Sequence, residues 1–174
     1  MSKIDFSDIN VPELIADMWE PLTEEQREYL SEHFTIQNFK KNEVVHFEGE
    51  TPTHLMCLLT GKVKIYKDGV GGRSQIIRMM KPVEYFGYRA YFSEQAYVTA
   101  AAAFEPSVIC LIPMTVITKL IRQNNDLAMF FIKQLSNDLG MSDTRTVNLT
   151  QKHIRGRLAE SLLFLKESYG IEED

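Results

Sequence analysis

The sequence predicts an α+β chain in which an antiparallel β sandwich or barrel occupies the middle of the polypeptide and helices flank it on both sides. Two observations carry this. Between residues 34 and 113 short apolar alternations recur, punctuated by Gly49, Gly61, Gly69 to Gly72 and Pro82, the texture of regularly spaced strands. Before and after that stretch apolar residues return at three- and four-residue spacing, the period of an α-helix. Length and composition agree: 174 residues, 44% hydrophobic and 25% charged, suffice for one ordinary globular core. The same figures, with only two cysteines, exclude a disordered, collagen-like or disulfide-scaffold chain.

Residues 1–33 read as a short helix pair. Thr23 with Gln26 three positions later makes a capping-box pattern, and Tyr29, Leu30 and Phe34 follow at helical spacing. In residues 34–113, strands are expected at 44–47, 56–59, 63–66, 76–80, 98–103 and 108–112. Asp68-Gly-Val-Gly-Gly72 is a hairpin tip rather than a phosphate loop, because neither a lysine-serine or lysine-threonine pair nor a helix follows it. Cys57 and Cys110 each sit within an apolar run, the setting of a buried free thiol in a reducing compartment.

Residues 114–152 return to helix, flanking the strands and then running on, with stop signals at Asn124-Asn125 and again at Gly156. Within the long segment Ala128, Ile132, Leu135, Leu139, Ser142, Thr146 and Leu149 alternate four- and three-residue steps, the heptad of a coiled-coil seam between two copies of the helix. Phe130 and Phe131 sit beside that seam and are expected to pack on the strands. Residues 153–174 begin with a hinge at His153, Ile154, Arg155 and Gly156 and carry a further stripe, Ile154, Leu158, Leu162, Leu165 and Tyr169. An apolar stripe requires a surface to bury against.

Nineteen basic against 24 acidic residues leave a net charge of −5, so no global field attracts a phosphate backbone. There is no apolar run of membrane-spanning length and no signal-peptide order at the start, which reads as a cytoplasmic chain with no membrane partner. Enzyme chemistry finds no support: His33, His46, His54 and His153 are not at metal-ligand spacing, the cysteines form no Cys-x-x-Cys, and no serine lies in a Gly-x-Ser-x-Gly turn. No catalytic residue and no metal site is assigned.

The remaining class is a binding module, and here several motifs coincide. Phe39-Lys-Lys-Asn-Glu-Val-Val-His-Phe-Glu-Gly49, Gly61-Lys-Val-Lys-Ile-Tyr66 and Tyr85-Phe-Gly87 resemble the successive strand and turn motifs of the cyclic-nucleotide-binding fold. Arg145 to Leu163, with Asn148-Leu149 and Ile154-Arg-Gly-Arg-Leu-Ala159, resembles the end of the dimer helix and the hinge of the catabolite activator (Crp/Fnr) family of bacterial transcription regulators. The resemblance is collinear from residue 20 to residue 169. It implies an eight-stranded jelly-roll barrel that senses an effector, a long dimerisation helix, and a winged helix-turn-helix that would bind DNA and work with RNA polymerase. The motifs break off after the first helix of that DNA-binding domain, so the stripe from Ile154 to Tyr169 stands for that helix without its partners.

Departures from the family pattern bear on the effector. Nucleotide-binding members follow Phe-Gly with a glutamate for the ribose and carry an arginine further on for the cyclic phosphate; here Tyr88 and Tyr97 take those places. A tyrosine supplies neither positive charge nor a bidentate fork. Losing a charge-assisted contact costs about 1.5–3 kcal/mol, so losing two weakens binding by roughly two to four decades. An effector other than cyclic AMP is therefore expected, lined by Ile65, Arg78, Met80, Phe86, Gly87, Tyr88, Arg89, Tyr97, Val98 and Thr99, with Ser142 and Asp143 reaching in from the long helix. An inward Arg78 requires an acidic partner or a bound anion. An iron-cluster sensor would need cysteines near the N-terminus, and none precedes Cys57. Haem, which needs one or two axial ligands, stays open through His46, His54, His153 or one of eight methionines. Two functions follow: the effector-sensing, homodimeric part of a transcription regulator, or a stand-alone module that regulates a partner protein.

Overall fold

The computed structural model describes residues 10–69, 71–151 and 153–169. Three short helices open the chain: α1 (Val11–Leu14), α2 (Ala16–Trp19) and α3 (Glu24–Ser31). The capping box is formed: Gln26 N donates to Thr23 Oγ1 at 3.3 Å and Thr23 N donates to Gln26 Oε1 at 3.1 Å. Glu24 and Glu25 then place negative charge in the first turn of α3, where the helix dipole favours it.

Eight strands follow, with one short helix among them: β1 (Thr35–Phe39), β2 (Val44–His46), β3 (His54–Thr60), β4 (Val63–Asp68), β5 (Ser74–Met80), β6 (Tyr85–Phe86), α4 (Tyr88–Phe92), β7 (Ala100–Ala103) and β8 (Ser107–Pro113). They form two antiparallel four-stranded sheets, ordered β1-β8-β3-β6 and β2-β7-β4-β5. The sheets do not join into one closed barrel, which corrects that part of the expectation. Instead both turn side chains into a shared interior: Phe39, Met56, Leu58 and Ile109 from the first sheet meet Val63, Met80, Ala101 and Ala103 from the second. The β4–β5 hairpin closes at the expected glycines, with Asp68 opposite Ser74, Gly69 N donating to Arg73 O at 3.0 Å, and Gly71 and Gly72 at φ of 86° and 74°. Residue 70 of that tip lies outside the described residues.

β3 and β8 are buried on both faces. Leu55, Cys57 and Leu59 alternate with the inward Met56 and Leu58, and the outer face of this sheet lies under helices. Tyr85 shows the contact: its hydroxyl donates to Asp17 Oδ1 of α2 at 2.7 Å, and its ring meets Phe130 edge-on at 5.3 Å. Cys57 and Cys110 are register partners across β3 and β8, both free and fully buried. Burial pushes the Cys110 thiol up to about 12 and the Cys57 thiol higher still, so neither is a nucleophile at neutral pH.

Helix α5 (Met114–Gln123) buries Met114, Val116, Ile117 and Leu120 and stops at Asn124, as its sequence signals. The Asn124 amide nitrogen donates to Pro21 O at 2.9 Å and Gln26 Oε1 at 2.8 Å, while its oxygen accepts from Leu127 N at 3.0 Å and so caps α6 (Asn125–Gln151). The chain divides into two compact units, Met1–Phe130 and Phe131–Asp174. The second holds most of α6 and α7 (Ile154–Tyr169). Along the heptad Ala128 and Leu135 are half-buried, Ile132, Leu139, Ser142 and Thr146 are exposed, and the Leu149 side chain lies outside the described residues. Gly156 does not stop a helix: Ile154, Arg155 and Gly156 all lie within α7, and only His153, whose carbonyl accepts from Arg157 N at 3.1 Å, precedes it. One glycine in a helix costs only about 1 kcal/mol, which good helix formers on either side offset.

Candidate functional site

The segment from β6 through α4 to β7 folds around Gly87. Its φ of 90° is left-handed, and an added Cβ would collide with Met56 Cε and, at 2.8 Å, with the His54 carbonyl. Only glycine turns the end of β6 into α4 at this place. Tyr88 is the first residue of α4 and is 2% exposed, its ring edge-on to Phe92. Tyr88 is thus a packed side chain on the helix, and Arg89 beside it is exposed.

Tyr97 takes a different position. Its backbone is tied to the β2–β3 turn, Tyr97 N donating to Glu50 O at 2.9 Å and Gly49 N donating to Tyr97 O at 2.8 Å. The next carbonyl, of Val98, accepts from Lys67 Nζ at 2.9 Å, and Lys67 also pairs with Glu48 at 2.6 Å. Held there, the Tyr97 ring enters the core and stacks on His46 with centroids 3.8 Å apart and planes 25° apart. Val98 points to the surface and Thr99 is half-buried.

Met80 and Phe86 are buried in the same cluster and Ile65 packs against it. Arg78 stands opposite Ile65 on β5, and its Nη2 lies 3.7 Å from Glu84 Oε1, both side chains half-buried. The acidic partner that an inward guanidinium requires is therefore Glu84. Ser142 and Asp143 are exposed residues of α6 in the second unit.

His46 is the residue that pattern reading undervalued. It ends β2, is 7% exposed, and its Nδ1 is buried without a hydrogen-bond partner. Desolvation lowers its pKa, opposed by a backbone hydrogen bond at Phe47 and by the Glu50 carboxylate, so the ring is neutral at pH 7. The same burial, with Glu50 adding to it, pushes the Tyr97 hydroxyl up to about 12. The alternation Val44-Val45-His46, with a polar ring at the end of an apolar strand, was the signal available. Of the other candidate haem ligands, His54 opens β3 with its Nδ1 2.9 Å from Thr53 Oγ1, and His153 is exposed before α7. The polar groups set into the sandwich are thus a buried imidazole, a phenol stacked on it, and a guanidinium paired with Glu84.

The profile of the cyclic nucleotide-binding domain matches residues 36–124. An uncharacterized protein of Haemophilus influenzae is 32% identical over 116 residues, 66% of this chain and 87% of that protein. The global nitrogen regulator of Nostoc is 22% identical over 140 residues, 78% of this chain and 62% of that regulator. Among solved structures, the sensor domain of the transcriptional regulator DNR from Pseudomonas aeruginosa superposes with a TM-score of 0.67 at 24% identity, covering 76% of this chain and 91% of that domain. The chain spans about three fifths of the length of the named regulators it matches. Among the described residues, no helix is long and apolar enough to cross a membrane.

Proposed function

On the premise that this chain belongs to the cyclic nucleotide-binding domain family, we propose that it is the effector-sensing part of a Crp/Fnr-type transcription regulator that responds to a ligand other than cyclic AMP. The observation that carries this reading is the pair of tyrosines: Tyr88 is packed against α4 and Tyr97 is stacked on His46 where the resemblance places the ribose acid and the phosphate base. The effector then meets Ile65, Arg78, Met80, Phe86, Gly87 and Tyr97. The strand order 1-8-3-6 facing 2-7-4-5 supports reading the two sheets as a jelly roll.

The protein works without catalysis, as a homodimer through the α6 heptad. Ligand shifts a two-state equilibrium at the break around His153, before α7, by its differential affinity for the two arrangements. DNA and RNA polymerase are engaged through a helix-turn-helix beyond α7. Titration calorimetry with cyclic AMP tests the reading: binding no tighter than millimolar is expected, and micromolar binding overturns it.

A further inference from the structure

We propose that a cleft between α4 and α5 binds a tetrahedral phosphate dianion, free or carried as a monoester. The exposed face of α5 presents Thr115, Thr118, Lys119, Arg122 and Gln123 at i, i+3, i+4, i+7 and i+8, while Met114, Ile117 and Leu120 on the opposite face are buried and hold the helix in place. Tyr91 of α4 completes a cleft of about 310 Å³. Two cations and three hydroxyls line it, and no carboxylate does.

Among the described residues, neither Lys119 nor Arg122 has a carboxylate within ion-pair distance. In a chain of net charge −5, this cleft is not a by-product of basic composition. Lys119 Nζ lies 3.8 Å from the centroid of the Tyr29 ring of α3, so Lys119 stands on the divide between this cleft and a neighbouring one that Tyr29 lines. On the far side of Lys119 a second cleft is lined by Glu25, Glu28 and Glu32, which places an anion at the Tyr91 and Arg122 end.

Thr118 Oγ1 donates to Met114 O at 2.7 Å and lies 3.4 Å from the Tyr91 hydroxyl, so the two hydroxyls stand side by side at the cleft. Two cations with hydroxyl donors match the several oxygens of a phosphate, whereas a carboxylate presents two.

The test is an amide-resonance titration of the full chain with inorganic phosphate and, separately, glycerol phosphate, at constant ionic strength. Saturable shifts are expected at Tyr91, Thr118 and Arg122. Lys119→Gln with Arg122→Gln should weaken binding about tenfold or more, and Tyr91→Phe should weaken it less. Lys133→Gln, which removes a charge outside the cleft, should leave it unchanged. Equal affinity for the two probes assigns the cleft to the free ion and tighter ester binding assigns it to the ester, and either supports the site. Absence of saturable shifts with both probes, equal weakening by Lys133→Gln, or binding of a glutamate-rich peptide there in place of phosphate would overturn it.

Discussion

β3 and the part of α6 beyond Phe131 both carry large apolar side chains, and these meet opposite fates. Leu55, Met56, Cys57, Leu58 and Leu59 of β3 are all buried, because β3 lies inside its sheet with the sandwich on one face and helices on the other. In α6, Ile132 is 53% and Leu139 64% exposed, and in α7 Ile154, Leu158 and Leu162 are exposed as well. An apolar pattern states that a surface is to be covered; it does not say by what. For β3 the cover is the rest of this unit, and for α6 we propose a second copy of the chain.

The most drastic way to break that comparison is at the seam. Leu135→Asp with Leu139→Asp should convert a dimer to monomers in analytical ultracentrifugation while circular dichroism shows the sandwich still folded. A wild-type chain that sediments as a monomer at micromolar concentration would remove the proposed cover for α6.

The comparison is sharpened by a matched pair of truncations. Leu58→Ala should lower unfolding free energy by about 2–5 kcal/mol in urea titration, since its side chain is fully buried. Ile132→Ala, made in the monomeric Leu135→Asp, Leu139→Asp background, should cost no more than about 0.5 kcal/mol, since its side chain is 53% exposed.

Smaller effects probe the polar side chains set into the sandwich. Arg78→Ala leaves half-buried Glu84 without its ion pair and should cost about 1 kcal/mol. It should leave the dimer intact and lower the affinity of the effector, when one is identified by native mass spectrometry. An effector indifferent to this change would place the site elsewhere.

The smallest expected effect is a dependence on pH. The folded-state pKa of His46 is depressed below 6.5, so the unfolded chain takes up the proton first as pH falls. Stability is full above about 6.5 and declines below it towards the folded value. Thermal unfolding at about pH 7.5 and about pH 5.5 should show this slope, and His46→Phe should flatten it. An unchanged slope in that variant would assign the dependence to other groups.

Local signals were readable wherever a few neighbouring residues decide the geometry. The Thr23–Gln26 box, the Gly69 to Gly72 hairpin and the Asn124 break all formed as their residues indicate. β1, β6 and α4 were not read from periodicity. Thr35–Phe39 is a polar strand held by pairing with β8, and Tyr85–Phe86 is a two-residue strand paired to β3. Their existence depends on a partner far along the chain.

By itself the sequence determined the α+β class, the buried thiols and the family resemblance, since these rest on periodicity, apolar neighbours and motif order. Only the tertiary structure decided that the strands divide into two sheets, that Arg78 meets Glu84, and that Tyr97 turns inward onto His46 while Tyr88 packs on α4. Side-chain direction at those places is set by contacts between residues distant in the chain, such as the two backbone hydrogen bonds that tie Tyr97 to the turn at Gly49 and Glu50. No window of neighbouring residues contains that information.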